Sequence, residues 1–339
     1  MKKLFLVLLL LPHLILSQDF KLKAIPPQTD ASFRGLSVVN EKVVWVSGTK
    51  GWVGRSTNSG VTWTFKQVSG FETLDFRSLY AFDSLNAIIA NAGSPAHILR
   101  TSDAGQTWKV VYKNEAKEAF FDGIDFWNEE EGIIYGDPIQ KRMLMLRTFD
   151  GGKTWKELPG KNRPLLMDGE ASFAASGTTI RCLEKGKVII ATGGLVSRLW
   201  TSEDKGMTWE PMNTPILQGE STSGIFSFAY LNSKTFFIVG GDYKLDSISV
   251  KHIFYTNDGG SHWAFPAKPT RGYRECVEYL SKNILIAVGP KGIDISKDGG
   301  LTWAPFSEEK SFHVARKARK GGLIVIAGGA GKISTMHGR

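Results

Sequence analysis

One eight-residue pattern recurs six times in this chain and constrains the rest of its folding. It reads [Ser/Thr]-x-[Asp/Asn]-x-Gly-x-x-Trp and occupies residues 56–63, 101–108, 148–155, 202–209, 256–263 and 296–303. The starts are 45, 47, 54, 54 and 40 residues apart, a period that belongs to repeat architectures. The pattern also has a local physical sense. Its third residue (Asn58, Asp103, Asp150, Asp204, Asp258, Asp298) can bond the backbone amides of its own turn. The glycine can take the positive φ that such a turn needs. The tryptophan opens the next strand and buries a large ring.

These turns resemble the Asp-box, or BNR repeat. The resemblance implies an all-β chain built as a β-propeller, with each box between the third and fourth strands of a blade. It gives the six Asp and Asn side chains a structural role. It says little about chemistry, because glycosidases, sorting receptors and assembly factors share it.

The segments between boxes are short apolar strands bounded by Gly, Asn, Asp and Lys, and no stretch after the N-terminal run has helical periodicity. Six boxes do not limit the chain to six blades. After Trp303, residues 312–318, 323–328 and 332–336 read as three strands without a fourth. At the other end, Phe20–Ile25 reads as a strand without a blade. Giving it to the last blade closes a seven-bladed ring and leaves no open sheet edge. Six blades with a loose tail is the other arrangement.

The chain begins MKK, followed by an apolar run over residues 4–16 and then Ser17, as in a cleavable export signal. The run is shorter than the ~20 residues needed to span a bilayer. Residues 18–339 then form a single propeller domain, periplasmic or secreted. The formal charge of +9 is moderate, without the dense basic stretches of a nucleic-acid binder. Cys182 and Cys276 fall on expected strands of the fourth and sixth repeats, with one blade between them and beyond the ~7 Å reach of a disulfide, so both should be buried free thiols. The histidines show no metal-ligand spacing, and the glycine-rich stretches match neither a phosphate loop nor a dinucleotide fingerprint. No metal or cofactor is expected.

Aligning the repeats puts the starts of the first strands in register. Each lines the central channel of a propeller, and its second position should open on one mouth. That position holds Arg34, Arg77, Asp122, Arg274 and His313, with Glu170 and Glu275 one place off. Arg274, His313, Arg34 and Arg77 would form a cationic arc facing Asp122 and Glu170. Arginine forks suit carboxylates and phosphates. The arc either recognises a partner or pairs internally and plugs the channel. The turns after the second strands add Lys50, Lys141, Arg142, Lys244, Lys291 and Lys332, which extend a basic face or simply keep the surface soluble.

Beyond the boxes, SFRGLSVV (from Ser32), FFDGIDFW (from Phe120), GEASFAASGT (from Gly169), VGGDY (from Val239), GYR (from Gly272) and VGPKGIDIS (from Val288) are similar to the photosystem II stability/assembly factor propellers and their bacterial relatives. The resemblance covers nearly the whole mature chain. It implies a non-catalytic, monomeric scaffold that binds an envelope or membrane protein, such as an assembly intermediate, through an arginine-rich face. Arg34, Arg77 and Arg274 are the matching arginines. The other reading is a sialidase-like glycoside hydrolase. Phe33-Arg34 resembles the start of the sialidase Phe-Arg-Ile-Pro motif, but Gly35-Leu36 replaces Ile-Pro. No Tyr–Glu nucleophile pair is evident, and Asp122, Glu170 and Glu275 would have to act as acid and base.

Overall fold

Each repeat folds because its turn closes on itself. At 148–155, the Thr148 hydroxyl donates to Asp150 Oδ1 (2.9 Å) and accepts the Gly152 amide (2.9 Å). Asp150 in turn accepts the amide and the hydroxyl of Thr154 at 2.9 and 2.7 Å. In the other five turns the glycine amide again donates to the hydroxyl, and a backbone amide to the Asp or Asn side-chain oxygen. The hydroxyl and amide of Thr107 hold the Asp103 carboxyl down to about 2. The indoles of Trp63, Trp209 and Trp303 donate back to the turn glycine carbonyls of Gly60, Gly206 and Gly300 at 3.0–3.1 Å. These bonds are made within each turn, consistent with a structural role.

The computed structural model describes residues 20–338, and the export signal expected at 1–17 lies outside the described residues. Seven antiparallel sheets surround a central channel. In blade 1, Phe33–Val38, Val44–Gly48, Trp52–Ser56 and Thr64–Gln67 pair in that order outward from the channel. Blades 2, 3 and 6 repeat this plan. The second strands are the most apolar and are fully buried between blades, as with Val44, Val46, Ile88, Ile89, Ile286 and Val288. Each such side chain contributes roughly 1.5–3 kcal/mol through burial.

Blade 7 is Phe312–Lys317, Ile324–Gly328 and Ile333–Gly338, completed by the N-terminal Phe20–Ile25. The closing pair is antiparallel and unbroken from Phe20↔Gly338 to Ile25↔Ile333. The chain is therefore a seven-bladed propeller closed by strands from both ends. Cys182 (partly exposed) and Cys276 (buried) are free thiols on blades 4 and 6.

Blade 4 departs from the expected plan. Its first strand begins at Glu170–Ala171, against Gly193–Gly194, and then leaves the sheet. It resumes only at Ile180–Cys182, against Val188–Ile190. The eight residues between, 172–179, cross the channel and bond the other blades. The Ala175 carbonyl accepts from Arg34 of blade 1 (2.7 Å) and the Gly177 carbonyl from Arg316 of blade 7 (2.7 Å). The Ser176 hydroxyl donates to the Glu275 carbonyl of blade 6 (2.9 Å), and the Thr178 hydroxyl to Ser227 of blade 5 (2.7 Å).

Closure has a measurable consequence. Deleting residues 18–27 strips the partner from Ile333–Gly338 and leaves an exposed strand edge. The truncated chain should melt earlier and self-associate with concentration, as read by thermal denaturation and size-exclusion chromatography. Melting and elution like those of the intact chain would show that the ring does not depend on this strand.

Candidate functional site

The channel mouth is built from β-bulges. Phe33 pairs with Gly48 and Gly35 with Ser47, so Arg34 is the extra residue between them. The same irregularity singles out Asp122, Phe226 and His313 in blades 3, 5 and 7. A bulge re-aims its extra side chain out of the sheet. The glycine opposite the strand start is required by close approach. A Cβ on Gly48, Gly136 or Gly328 would run into the carbonyl before the facing strand.

Arg34 and Glu275 meet across the mouth. Arg34 Nη1 donates to Glu275 Oε2 at 2.6 Å, and His313 Nδ1 lies 2.9 Å from the same oxygen. His313 Nε2 lies 3.1 Å from Ser32 Oγ. Burial alone would raise the Glu275 pKa, but Arg34 and His313 more than offset this and leave it below the usual carboxylate range. Arg77 bonds Asp75 Oδ2 through Nε at 2.6 Å. Its two terminal nitrogens have no protein partner among the described residues.

Asp122 behaves differently. It is fully buried, and neither carboxylate oxygen has a hydrogen-bond partner among the described residues. Burial and the nearby charge of Asp137 push its pKa well up, against the opposing pull of Arg77. The hydroxyls of Tyr135, Ser172 and Thr179 are also buried and unpartnered. Asp137, half-buried, accepts the Ser172 amide at 3.1 Å, and burial raises its pKa. Above these groups opens a cavity of about 460 Å³, lined by Arg34, Arg77, Asp137, Phe173, Tyr243 and Glu275 among others. One wall is aromatic. Phe173 stacks on Phe226 at 3.9 Å, and Tyr273 meets Phe226 edge-on at 4.8 Å.

The expected cationic arc is not assembled. Arg274 is not equivalent to Arg34, but to Phe33 and Phe76. Its amide donates to Gly240 of the preceding blade (3.2 Å), as the Phe76 amide does to Gly48 (3.0 Å). Its guanidinium is fully buried and bonds Asp294, which it shares with Arg271. Glu275 takes the mouth position instead. The aromatic Tyr273 imitates a strand start, whereas the spacing to the facing glycine identifies the true one. That spacing is fifteen residues from Phe33, Phe121, Ile225 and Arg274 alike.

Glu170 does not face the arc either. It is buried in blade 4, where Arg198, Thr192 and Trp200 bond its carboxylate. Burial raises its pKa, and these bonds bring it below the usual range. Of the six turn cations, Lys50, Lys141, Lys291 and Lys332 each pair with an acid (Asp30, Asp168, Asp246 and Glu309). Arg142 bonds the Arg163 carbonyl at 3.0 Å. Four of the six turn cations are thus offset by an acid. The aromatic wall and Asp137 were not singled out from the sequence, because they converge only through loop 172–179 and the turns of blades 3 and 5.

The raised pKa of Asp122 fixes the sign of a pH effect. The folded chain holds this proton more tightly than the unfolded chain, whose Asp titrates near pH ~3.9. Stability present below that pH is lost as pH rises through the folded value. Asp122→Asn should therefore melt above wild type near about pH 7, with the difference closing near about pH 4. Thermal melts across this range test it. A constant offset between the two proteins would show that the carboxylate ionises at no cost.

Residues 91–172 match the sequence profile of the family described as photosynthesis system II assembly factor YCF48. No curated protein matches the chain significantly. Among solved structures, the one described as YCF48 bound to D1 peptide is 18% identical, covers 94% of this chain and 97% of its own, and superposes with a TM-score of 0.69. YCF48 from Cyanidioschyzon merolae is 15% identical, with 93% and 98% coverage and a TM-score of 0.69. A GH74 xyloglucanase from Xanthomonas campestris is 12% identical, covers 93% of this chain and 53% of its own, and gives 0.62. At these identities the structural likenesses establish the fold, and the profile match adds the sequence signature over blades 2 to 4. The chain is a seven-bladed β-propeller whose residues 91–172 are similar to the photosystem II assembly factor family.

Proposed function

We propose that the chain is an exported, non-catalytic scaffold that holds a segment of an envelope or membrane protein at its wide channel mouth. The observation that carries this reading is an apolar rim beside a polar cup. Tyr243, Leu245, Ile248 and Val250 are 42–57% exposed on one turn of blade 5, and Leu195 and Met167 are comparably exposed on blade 4. Isolated exposed apolar side chains are ordinary, but a cluster rimmed by polar groups marks an interaction surface. In the cup, the free fork of Arg77 suits a carboxylate, and the carboxylate of Asp137 suits a donor. The relative described as bound to D1 peptide shows that this fold can hold a peptide. Peptide binding carries over in this proposal, with a partner of its own.

The glycosidase reading fares less well. It needs three arginines converging on a substrate carboxylate, yet Arg274 is buried against Asp294 and Arg34 is committed to Glu275 and loop 172–179. Asp122, Glu170 and Glu275 are nearly or wholly shielded from solvent, and the last two are ion-paired.

Capture of partners from envelope extract tests the proposal. Arg77→Ala should weaken capture by ~2–5 kcal/mol, the usual cost of truncating a desolvated charge pair. Leu245→Ser with Ile248→Ser should weaken it too, with melting unchanged because both side chains are exposed. Wild-type capture should fade as salt rises. Arg34→Ala should instead lower melting, since it frees the loop and leaves Glu275 with His313 alone. Capture that survives both the Arg77 and the rim variants would place binding elsewhere. Export is checked separately by N-terminal sequencing of the envelope form, expected to begin at Gln18.

A further inference from the structure

The channel has a second cavity beyond loop 172–179, of about 290 Å³, and it is lined from all seven inner strands. Ser37, Tyr80, Asp125, Arg181, Ala229, Glu278 and Arg316 form its ring. They pair with equivalent second-strand residues, from Trp45 in blade 1 to Val325 in blade 7. Four cations line the cavity (Arg181, Arg316, Lys317, Arg319) against two carboxylates (Asp125, Glu278).

The carboxylates are already used. Glu278 bonds Arg181 at 2.5 Å, and Asp125 accepts the amides of Cys182 (2.7 Å) and Phe126 (2.9 Å). Lys317 bonds the Leu280 carbonyl at 2.7 Å. Arg316 has the Gly177 carbonyl, through Nη2, as its one protein hydrogen-bond partner among the described residues, and no carboxylate. Arg319, at the solvent edge, bonds Ser37 Oγ (3.0 Å) and the Ala81 carbonyl, with its guanidinium 4.5 Å above the Tyr80 ring. Burial and the like charge of Arg181 lower the Arg316 pKa to about 10, so the ring does not fully compensate this cation. An under-compensated guanidinium in an enclosed space favours an incoming anion, and its fork suits an oxyanion.

We propose that this cavity binds a small oxyanion, phosphate or carboxylate, between Arg316 and Arg319, on the opposite side of loop 172–179 from the partner-binding mouth. The site stands independently of the proposed function. Because Arg316 also holds Gly177, an occupied site would stiffen the same loop whose other side floors the wide mouth.

The test titrates the purified chain with inorganic phosphate, and in a second arm with succinate, against chloride at matched ionic strength. Thermal melting and calorimetry are the readouts. Saturable stabilisation beyond chloride is expected in at least one arm, and the arm that gives it identifies the anion class. Arg316→Gln with Arg319→Gln should abolish it. If that variant does not fold, Arg316→Lys keeps the charge but loses the fork, and affinity should fall about tenfold. Absence of a saturable effect in both arms, or wild-type affinity in whichever variant folds, overturns the proposal.

Discussion

The structure depends on how the hole in its middle is filled. Seven sheets packed around an axis leave a central channel. Here eight residues of blade 4, 172–179, leave their sheet and cross it. A strand that leaves a sheet loses ladder partners for its carbonyls and amides, and burying such groups unpaired is costly. Arg34 and Arg316, on neighbouring blades, supply donors to Ala175 and Gly177 from opposite sides. Ser176 and Thr178 tie the loop to blades 6 and 5. The same crossing divides the channel into a wide cup and a narrower cavity lined by four cations, so it shapes both cavities as it closes the hole.

Around that plug, stability is distributed. Each turn bonds its own Asp or Asn side chain and glycine amide, and its tryptophan packs into the seam with a neighbouring blade, as Trp155 does with Ile88 and Phe126. The pairing of Phe20–Ile25 with Ile333–Gly338 acts across the length of the chain and helps turn an open stack of sheets into a ring. The polar groups of the mouth are less evenly served. Arg34, Glu275 and His313 satisfy one another, whereas the Asp122 carboxylate has no hydrogen-bond partner among the described residues. Unsatisfied buried groups beside a cavity suit ordered water or a ligand's donors.

The repeat count, the closing strand and the mouth positions of Arg34, Arg77, Asp122 and His313 were legible in the sequence. They follow from local rules, namely a self-bonding turn, a strand-length spacing and the alternation of side chains along it. The reading failed where a repeat breaks its own spacing. Tyr273 looks like the aromatic start of a strand and points to Arg274 as the mouth residue, but Glu275 holds that place. In blade 4 the strand start at Glu170 is real, but eight residues interrupt the strand before it resumes.

By itself, then, the sequence determined an all-β repeat chain locked by six turns, because those bonds form between residues only a few positions apart, and the choice of seven blades over six with a loose tail came from the Phe20–Ile25 pairing. Only the tertiary structure decided which charges meet. Arg34 finds Glu275 and Arg274 finds Asp294 because register and bulges aim them, and Arg316 is left without a carboxylate for the same reason. A guanidinium's partner can lie more than two hundred residues away in the chain, as Glu275 does from Arg34. Its identity is set by a rotation of the strand that one misplaced residue would reverse.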